Sequence, residues 1–264
     1  MTEFVTSGVT RMAYQVSGHG PALLLLHGAE ANRHSFDALT GHLSDHFTVI
    51  AYDQRDCGET QSPDQPATLT DLADDAHALV TELGFSRVHV FGSSFGGRVA
   101  QALSARHPER VDRLVLASTW PLPHTLKELN PQGTARLQAL RSGLPDTAQE
   151  LAGLFFPEHF LQQRPELRHI FKDVQAGHAR SLRRQAAVDS CLSIDWSLLT
   201  MPVLLMTGEL DQIVPPPLTL GIAEQLLHAQ TVMLPGVGHA TTLQAPDAVA
   251  AYLVRFLTAE QSSL

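Results

Sequence analysis

Short apolar runs alternate along the chain with segments of helical periodicity, and this alternation most strongly limits the folds open to it. The strand-like runs are residues 4–6, 11–16, 22–26, 47–51, 87–91, 111–118, 203–207 and 231–234. Helical segments are expected from Thr68 or Thr70 to residue 83, and over 98–107, 218–227 and 248–257. Strands that alternate with helices predict βαβ units around a mostly parallel sheet, an α/β fold.

The middle of the chain has a different character. Between residues 120 and 199 the strand-like runs disappear, and helical stretches at 133–141, 146–155 and 178–192 are separated by prolines. This pattern indicates an inserted helical unit. We therefore predict one core formed by residues 1–119 and 200–264, with a helical cap over 120–199.

Charge and composition exclude several classes of function. The 264 residues include 18 Lys and Arg against 27 Asp and Glu, a net charge of −9 without a basic run, which argues against nucleic acid as a partner. No window reaches the roughly 18 apolar residues of a membrane span, and no signal peptide is evident. Cys57 and Cys191 form neither a disulfide framework nor a zinc or redox motif. These features predict a cytoplasmic protein and leave its oligomeric state open.

The sequence GSSFGG at residues 92–97 directly follows a predicted strand and opens a helix. Gly-x-Ser-x-Gly in that position is typical of a nucleophile elbow, a strained turn that exposes a serine. Ser94 has glycine two residues before and two residues after it, whereas Ser93 is flanked at those distances by Phe91 and Phe95. We therefore predict that Ser94 is the nucleophile.

A serine nucleophile needs a base and a carboxylate that orients the base. His239 follows the last strand in a glycine-rich loop, and Asp211 follows the strand before it. The carboxyl ends of parallel strands meet at one edge of a sheet, so we expect Ser94, Asp211 and His239 to converge there. Glu209 is the rival acid. The backbone N–H groups of Phe95 and Ala29 are the expected oxyanion donors.

These motifs resemble those of the α/β-hydrolase superfamily, in particular its capped serine esterases and lactonases. The resemblance rests on HG at residues 27–28, DQRDCG at 53–58, the elbow, HPERV at 107–111, the acid loop and GH at 238–239. It implies an α/β-hydrolase fold, in which helices flank a mostly parallel central sheet and carry an inserted cap. It also implies a small ester, thioester, lactone or amide as substrate, with neither a cofactor nor a metal.

Two departures from the family pattern concern loops near the expected site. Glu30 stands beside the oxyanion donor, where it could pair with Arg33 or Arg55, or could line the pocket, orient water and disfavour anionic substrates. Asp56 replaces a glycine that is usual in the family, and this puts the loop conformation in question.

The expected substrate contacts are Glu30 and two aromatic residues, Trp120 at the cap boundary and Phe156 within the cap. Phe155 and Phe160 lie nearby in sequence. An aromatic side chain at either place could equally hold the cap on the core.

Other functions remain open on the same scaffold. The serine at the elbow argues against haloalkane dehalogenases and epoxide hydrolases, which use aspartate there. A carbon–carbon bond hydrolase and a cofactor-free perhydrolase share the Ser-Asp-His arrangement. A ligand receptor with slow turnover is the alternative outside enzymes.

Overall fold

The computed structural model describes residues 2–29, 31–174 and 179–259 of the chain. Its described residues form an eight-stranded sheet in the order β1-β2-β4-β3-β5-β6-β7-β8. The strands are β1 Glu3–Ser7, β2 Thr10–Ser17, β3 Ala22–Leu26, β4 Thr48–Tyr52, β5 Val88–Ser93, β6 Val111–Ala117, β7 Val203–Gly208 and β8 Ala229–Leu234. Strand β2 pairs antiparallel with β1 and β4, and the other pairs are parallel.

The predicted α/β class and mostly parallel sheet are confirmed. Strand β3 occupies the predicted residues, and all five of its side chains are buried. It lies between β4 and β5, with helices covering both faces of the sheet, which explains why its sequence is continuously apolar.

Helices cover the sheet in two layers. Their bounds are α1 Asp37–Leu43, α2 Leu69–Glu82, α3 Phe95–Arg106, α4 Leu126–Leu129, α5 Pro131–Ser142, α6 Ala148–Phe155, α7 Glu158–Gln163, α8 Ala179–Val188, α9 Pro216–Leu220, α10 Thr241–Gln244 and α11 Pro246–Leu257. Helices α2 and α3 pack in one apolar core, and α1 and α11 pack in a second core on the opposite face. Helix α2 begins after Thr68, whose side chain forms a capping box with Asp71.

Among the described residues, every regular element between β6 and β7 is helical, namely α4 to α8 and two 3₁₀ turns. Helix α8 covers part of the stretch predicted over 178–192, of which residue 178 lies outside the described residues. The helix predicted over 218–227 is shorter. Helix α9 ends at Leu220 and a 3₁₀ turn, Gly221–Gln225, follows. None of the described helices has the length and apolar character needed to cross a membrane.

Candidate active site

Ser94 lies on the turn between β5 and α3 with φ 55° and ψ −123°, a conformation that is strained for a residue with a side chain. The flanking glycines permit this turn. A Cβ atom on Gly92 would lie 2.5 Å from the carbonyl oxygen of Gly96, and one on Gly96 would lie 2.5 Å from the carbonyl carbon of Leu26. The Gly-x-Ser-x-Gly spacing therefore follows from close packing of backbone against backbone.

Hydrogen bonds from the sheet hold the strained turn in place. The N–H of Ser94 donates to the carbonyl of Ala117 at 2.8 Å, and the Thr119 hydroxyl donates to the carbonyl of Ser94 at 2.7 Å. Thr219 in turn fixes Thr119, because its hydroxyl donates to the Thr119 carbonyl and accepts from the Thr119 N–H. The sequence analysis missed both threonines, since neither belongs to a local motif.

The structure brings the side chains of Ser94, His239 and Asp211 together. Ser94 Oγ lies 3.0 Å from His239 Nε2, and His239 Nδ1 lies 2.8 Å from Asp211 Oδ2. The second carboxylate oxygen of Asp211 accepts the backbone N–H groups of Ile213 at 3.0 Å and Val214 at 2.8 Å. Both Asp211 and His239 are buried, so these bonds are shielded from water.

Glu209, the rival acid, lies elsewhere. Its side chain is exposed and accepts the backbone N–H of Gly236 at 2.9 Å, which braces the loop that leads to His239. Of the two acidic residues, only Asp211 is hydrogen-bonded to the imidazole.

The hydrogen-bond partners fix the tautomer of His239. An ionised carboxylate only accepts hydrogen bonds, so the Nδ1 atom carries the proton that is donated to Asp211. The unprotonated Nε2 then accepts the hydroxyl proton of Ser94. This arrangement can remove a proton from the serine as the oxygen attacks an electrophile.

The two expected oxyanion donors belong to backbone segments next to Ser94. Phe95 is the first residue of α3, where backbone N–H groups have no carbonyl partner within the helix. The loop after β3 passes close to the serine, since a Cβ atom on Gly28 would lie 3.6 Å from Ser94 Cβ. This loop carries Ala29.

His27 fixes the conformation of that loop. Its Nε2 accepts the backbone N–H of Gln54 at 3.1 Å, so its Nδ1–H donates to the carbonyl of Gly28 at 2.8 Å. Burial lowers the pKa of His27 to about 3, and the ring therefore stays neutral in this role. The Gln54 side chain donates back to the carbonyl of His27 at 2.8 Å.

One aromatic residue of the helical segment between β6 and β7 contacts the imidazole. The Phe155 ring stands edge-on to the His239 ring with centroids 5.5 Å apart, and the Phe155 carbonyl accepts the N–H of Ala240 at 3.2 Å. A Cβ atom on Gly238 would lie 2.6 Å from that carbonyl. The glycine before the histidine therefore allows the end of α6 to approach the base.

The predicted substrate contacts have other surroundings. Phe156 is buried and stacks on Phe160 with centroids 5.8 Å apart. Trp120 is 2% exposed, and the Arg98 guanidinium lies 5.1 Å from its ring. Trp120 thus contacts Arg98 of α3, Phe156 contacts another residue of the segment between β6 and β7, and Phe155 is the phenylalanine that contacts His239.

Glu30 lies outside the described residues, whereas its two suggested arginine partners are described. Arg33 forms a buried ion pair with Asp53, and the partly buried Arg55 pairs with the buried Asp75 at 2.5 Å. Each guanidinium thus has a carboxylate partner.

Asp56 adopts a positive φ of 63°, the left-handed region that glycine enters at little cost. The loop therefore takes a backbone conformation suited to glycine at this position, and the Asp56 carboxylate accepts Arg183 of α8 at 2.7 Å. Within the described part of the chain, no group of three or more His, Cys, Asp and Glu side chains is arranged to hold a metal ion.

Known proteins are similar to this chain in sequence and fold. The family model for the alpha/beta hydrolase fold matches residues 21–246. A protein of Caulobacter sp. (strain K31), named "Putative carbamate hydrolase RutD", is 29% identical over 83% of this chain and 83% of its own length.

Two solved structures are also similar. A thermophilic esterase from Thermogutta terrifontis has a TM-score of 0.82 and 26% identity, covering 97% of this chain and 98% of the esterase. The enol-lactonase from Burkholderia xenovorans LB400 has a TM-score of 0.84 and 23% identity, covering 97% of this chain and 100% of the lactonase, and is similar in fold. The chain belongs to the alpha/beta hydrolase fold family, and it is a hydrolase.

Proposed function

We propose that the protein is a serine hydrolase that cleaves a carboxylic ester, thioester or lactone through an acyl-enzyme on Ser94. The observation that carries the proposal is the continuous chain of hydrogen bonds from Ser94 through His239 to Asp211, at 3.0 and 2.8 Å. It starts from a serine on a strained, glycine-flanked turn.

The proposed reaction has two halves. Ser94 Oγ attacks the substrate carbonyl carbon while His239 Nε2 takes the hydroxyl proton, and Asp211 stabilises the resulting imidazolium. The N–H groups of Phe95 and Ala29 bind the developing oxyanion. The imidazolium then protonates the leaving oxygen or sulfur. In the second half His239 activates water, which releases the acid and restores the serine.

In this proposal residues 120–199 act as a cap on a catalytic core formed by residues 1–119 and 200–264. The edge-to-face contact between Phe155 and His239 supports a cap that covers the base and restricts access to it. Two free cysteines fit a reducing compartment such as the cytoplasm.

The test is turnover and product analysis on a panel of short nitrophenyl esters, lactones, thioesters, carbamates and vinylogous diketones. We expect sustained turnover of an ester or lactone, with a stoichiometric burst where deacylation is slow, and loss of both in Ser94→Ala. Turnover of the diketones alone would support a carbon–carbon bond hydrolase. Peracid formation from an ester and peroxide in preference to hydrolysis would support a perhydrolase. A burst without turnover across the panel would support a receptor.

A further inference from the structure

Arg184 of helix α8 extends from the insertion to the oxyanion side of the candidate site. Its Nε donates to the carbonyl of Ala29 at 2.8 Å, and its Nη2 donates to the Gln54 side chain at 3.0 Å. The guanidinium carbon lies 4.6 Å from the centroid of the Phe95 ring. The cation therefore contacts both residues whose N–H groups are the expected oxyanion donors.

The charge of Arg184 lacks a carboxylate partner among residues 2–29, 31–174 and 179–259. The side chain is buried, with only 3% exposed, and it contacts a carbonyl, an amide oxygen and an aromatic ring, all of which are uncharged. The next residue differs, since Arg183 pairs with Asp56 at 2.7 Å and with Asp64 at 3.3 Å. A buried charge without a counterion is unfavourable, so the site favours an anion there.

Three titratable groups near Arg184 are uncharged at neutral pH. Burial lowers the pKa of His27 to about 3 and raises the pKa values of the Tyr52 phenol and the Cys57 thiol. None of these three groups can therefore balance the guanidinium.

One amino group of Arg184 is unsatisfied. Among the described residues Nη1 has no hydrogen-bond partner and is buried, while Nε and Nη2 both bind the core. A buried donor that lacks an acceptor is unfavourable, and a charged donor is more so. Carboxylate is a favoured partner for guanidinium because two oxygens can accept parallel N–H bonds.

We propose that Arg184 binds a carboxylate on the acyl portion of the substrate. This inference rests on the proposed function, in which the substrate carbonyl oxygen lies between Ala29 and Phe95. The leaving group faces His239, so a cation beside the two oxyanion donors lies on the acyl side. The substrate class is thus an ester or lactone whose acyl chain carries a second, ionised carboxyl group.

The test compares two nitrophenyl esters of similar acyl length, mono-4-nitrophenyl succinate and 4-nitrophenyl butyrate. In Arg184→Gln we expect the ratio of kcat/KM for the anionic ester to that for the neutral ester to fall by about 10- to 100-fold, the range of one charge-assisted hydrogen bond. Arg183→Gln is the matched control, because it removes a neighbouring cation that already has carboxylate partners. It should retain the wild-type ratio within about twofold. An equal loss on both esters in Arg184→Gln would overturn the proposal and leave the arginine a positioning residue for Ala29.

A second test measures inhibition and melting temperature on the wild-type protein, so it does not depend on whether an Arg184 variant folds. Succinate should inhibit ester hydrolysis competitively and raise the melting temperature, and neutral succinamide should do neither. Equal effects of the two compounds would contradict carboxylate recognition. Succinate should also stabilise Ser94→Ala, so binding of the anion can be assessed even if the proposed acyl-enzyme chemistry fails.

Discussion

Replacing Asp211 by Asn tests how the buried acid acts, because the structure dictates which way the new amide must face. Asp211 Oδ1 accepts two backbone N–H groups, from Ile213 and Val214, while Oδ2 accepts His239 Nδ1. If the amide oxygen keeps the two backbone bonds, the NH2 group faces His239 Nδ1. Nδ1 must then accept, its proton moves to Nε2, and Nε2 can no longer accept the proton of Ser94.

The opposite amide orientation is disfavoured. It would set the NH2 group against two backbone donors and leave both unpaired, at about 1–3 kcal/mol each, or roughly 2–6 kcal/mol together. Each 1.4 kcal/mol changes an equilibrium constant by about a factor of ten, so at most a few per cent of the variant would hold the productive tautomer of His239. The carboxylate charge that stabilises the imidazolium is also lost. We expect kcat to fall by about 1,000- to 10,000-fold with little change in KM.

The assay is steady-state hydrolysis of a nitrophenyl ester by Asp211→Asn and by Glu209→Gln, with melting temperatures measured alongside. Glu209 is a matched control, because its exposed carboxylate accepts the backbone N–H of Gly236 and is not hydrogen-bonded to His239. It should retain activity within a few-fold. A large loss in Glu209→Gln together with near-normal activity in Asp211→Asn would refute the assignment of the acid.

Two further predictions concern the backbone around the serine and the buried imidazole of the oxyanion loop. Gly96→Ala should lower kcat/KM by at least about 100-fold, because its Cβ would lie 2.5 Å from the Leu26 carbonyl carbon and displace the oxyanion loop. Gly153→Ala, whose Cβ would have no neighbour within 4 Å, should leave kcat/KM nearly unchanged. Equal losses of kcat/KM in the two variants would contradict the steric argument. For His27, the folded state holds the pKa at about 3, below its unfolded value, so the unfolded state binds more protons as the pH falls from about 6.5. The free energy of unfolding in urea, measured for wild type relative to His27→Gln, should therefore fall by about 1.4 kcal/mol per pH unit between pH 6 and 4. Parallel plots of this free energy against pH for the two proteins would contradict the neutral, buried state of His27.

Local motifs were predictable because their physical causes are local. The elbow sequence specifies its own turn, since Gly92 and Gly96 are demanded by contacts a few residues away or on the adjacent strand. The positions of Ser94, Asp211 and His239 follow from the rule that parallel strands end at one edge. Their convergence could therefore be anticipated without knowing how the helices pack.

Contacts of the helical insertion were not predictable in this way. Helical periodicity identifies segments such as α6 and α8 but does not tell which core residue each segment meets. Trp120 and Phe156 are the predicted aromatic substrate contacts, and the sequence did not indicate that Phe155 at the end of α6 contacts His239. Arg184 was not anticipated either, because its partner Ala29 lies 155 positions away in sequence. Periodicity also did not separate α9, which ends at Leu220, from the 3₁₀ turn Gly221–Gln225 that follows it.

The central claim is that Ser94 becomes covalently modified during the reaction, and organophosphonate labelling followed by mass analysis of peptides tests it most directly. The wild type should gain one phosphonyl group on Ser94, and Ser93→Ala should label at a similar extent. Ser94→Ala should not label at all while retaining its melting temperature. Labelling that persists in Ser94→Ala, or that maps to Ser93, would contradict the account.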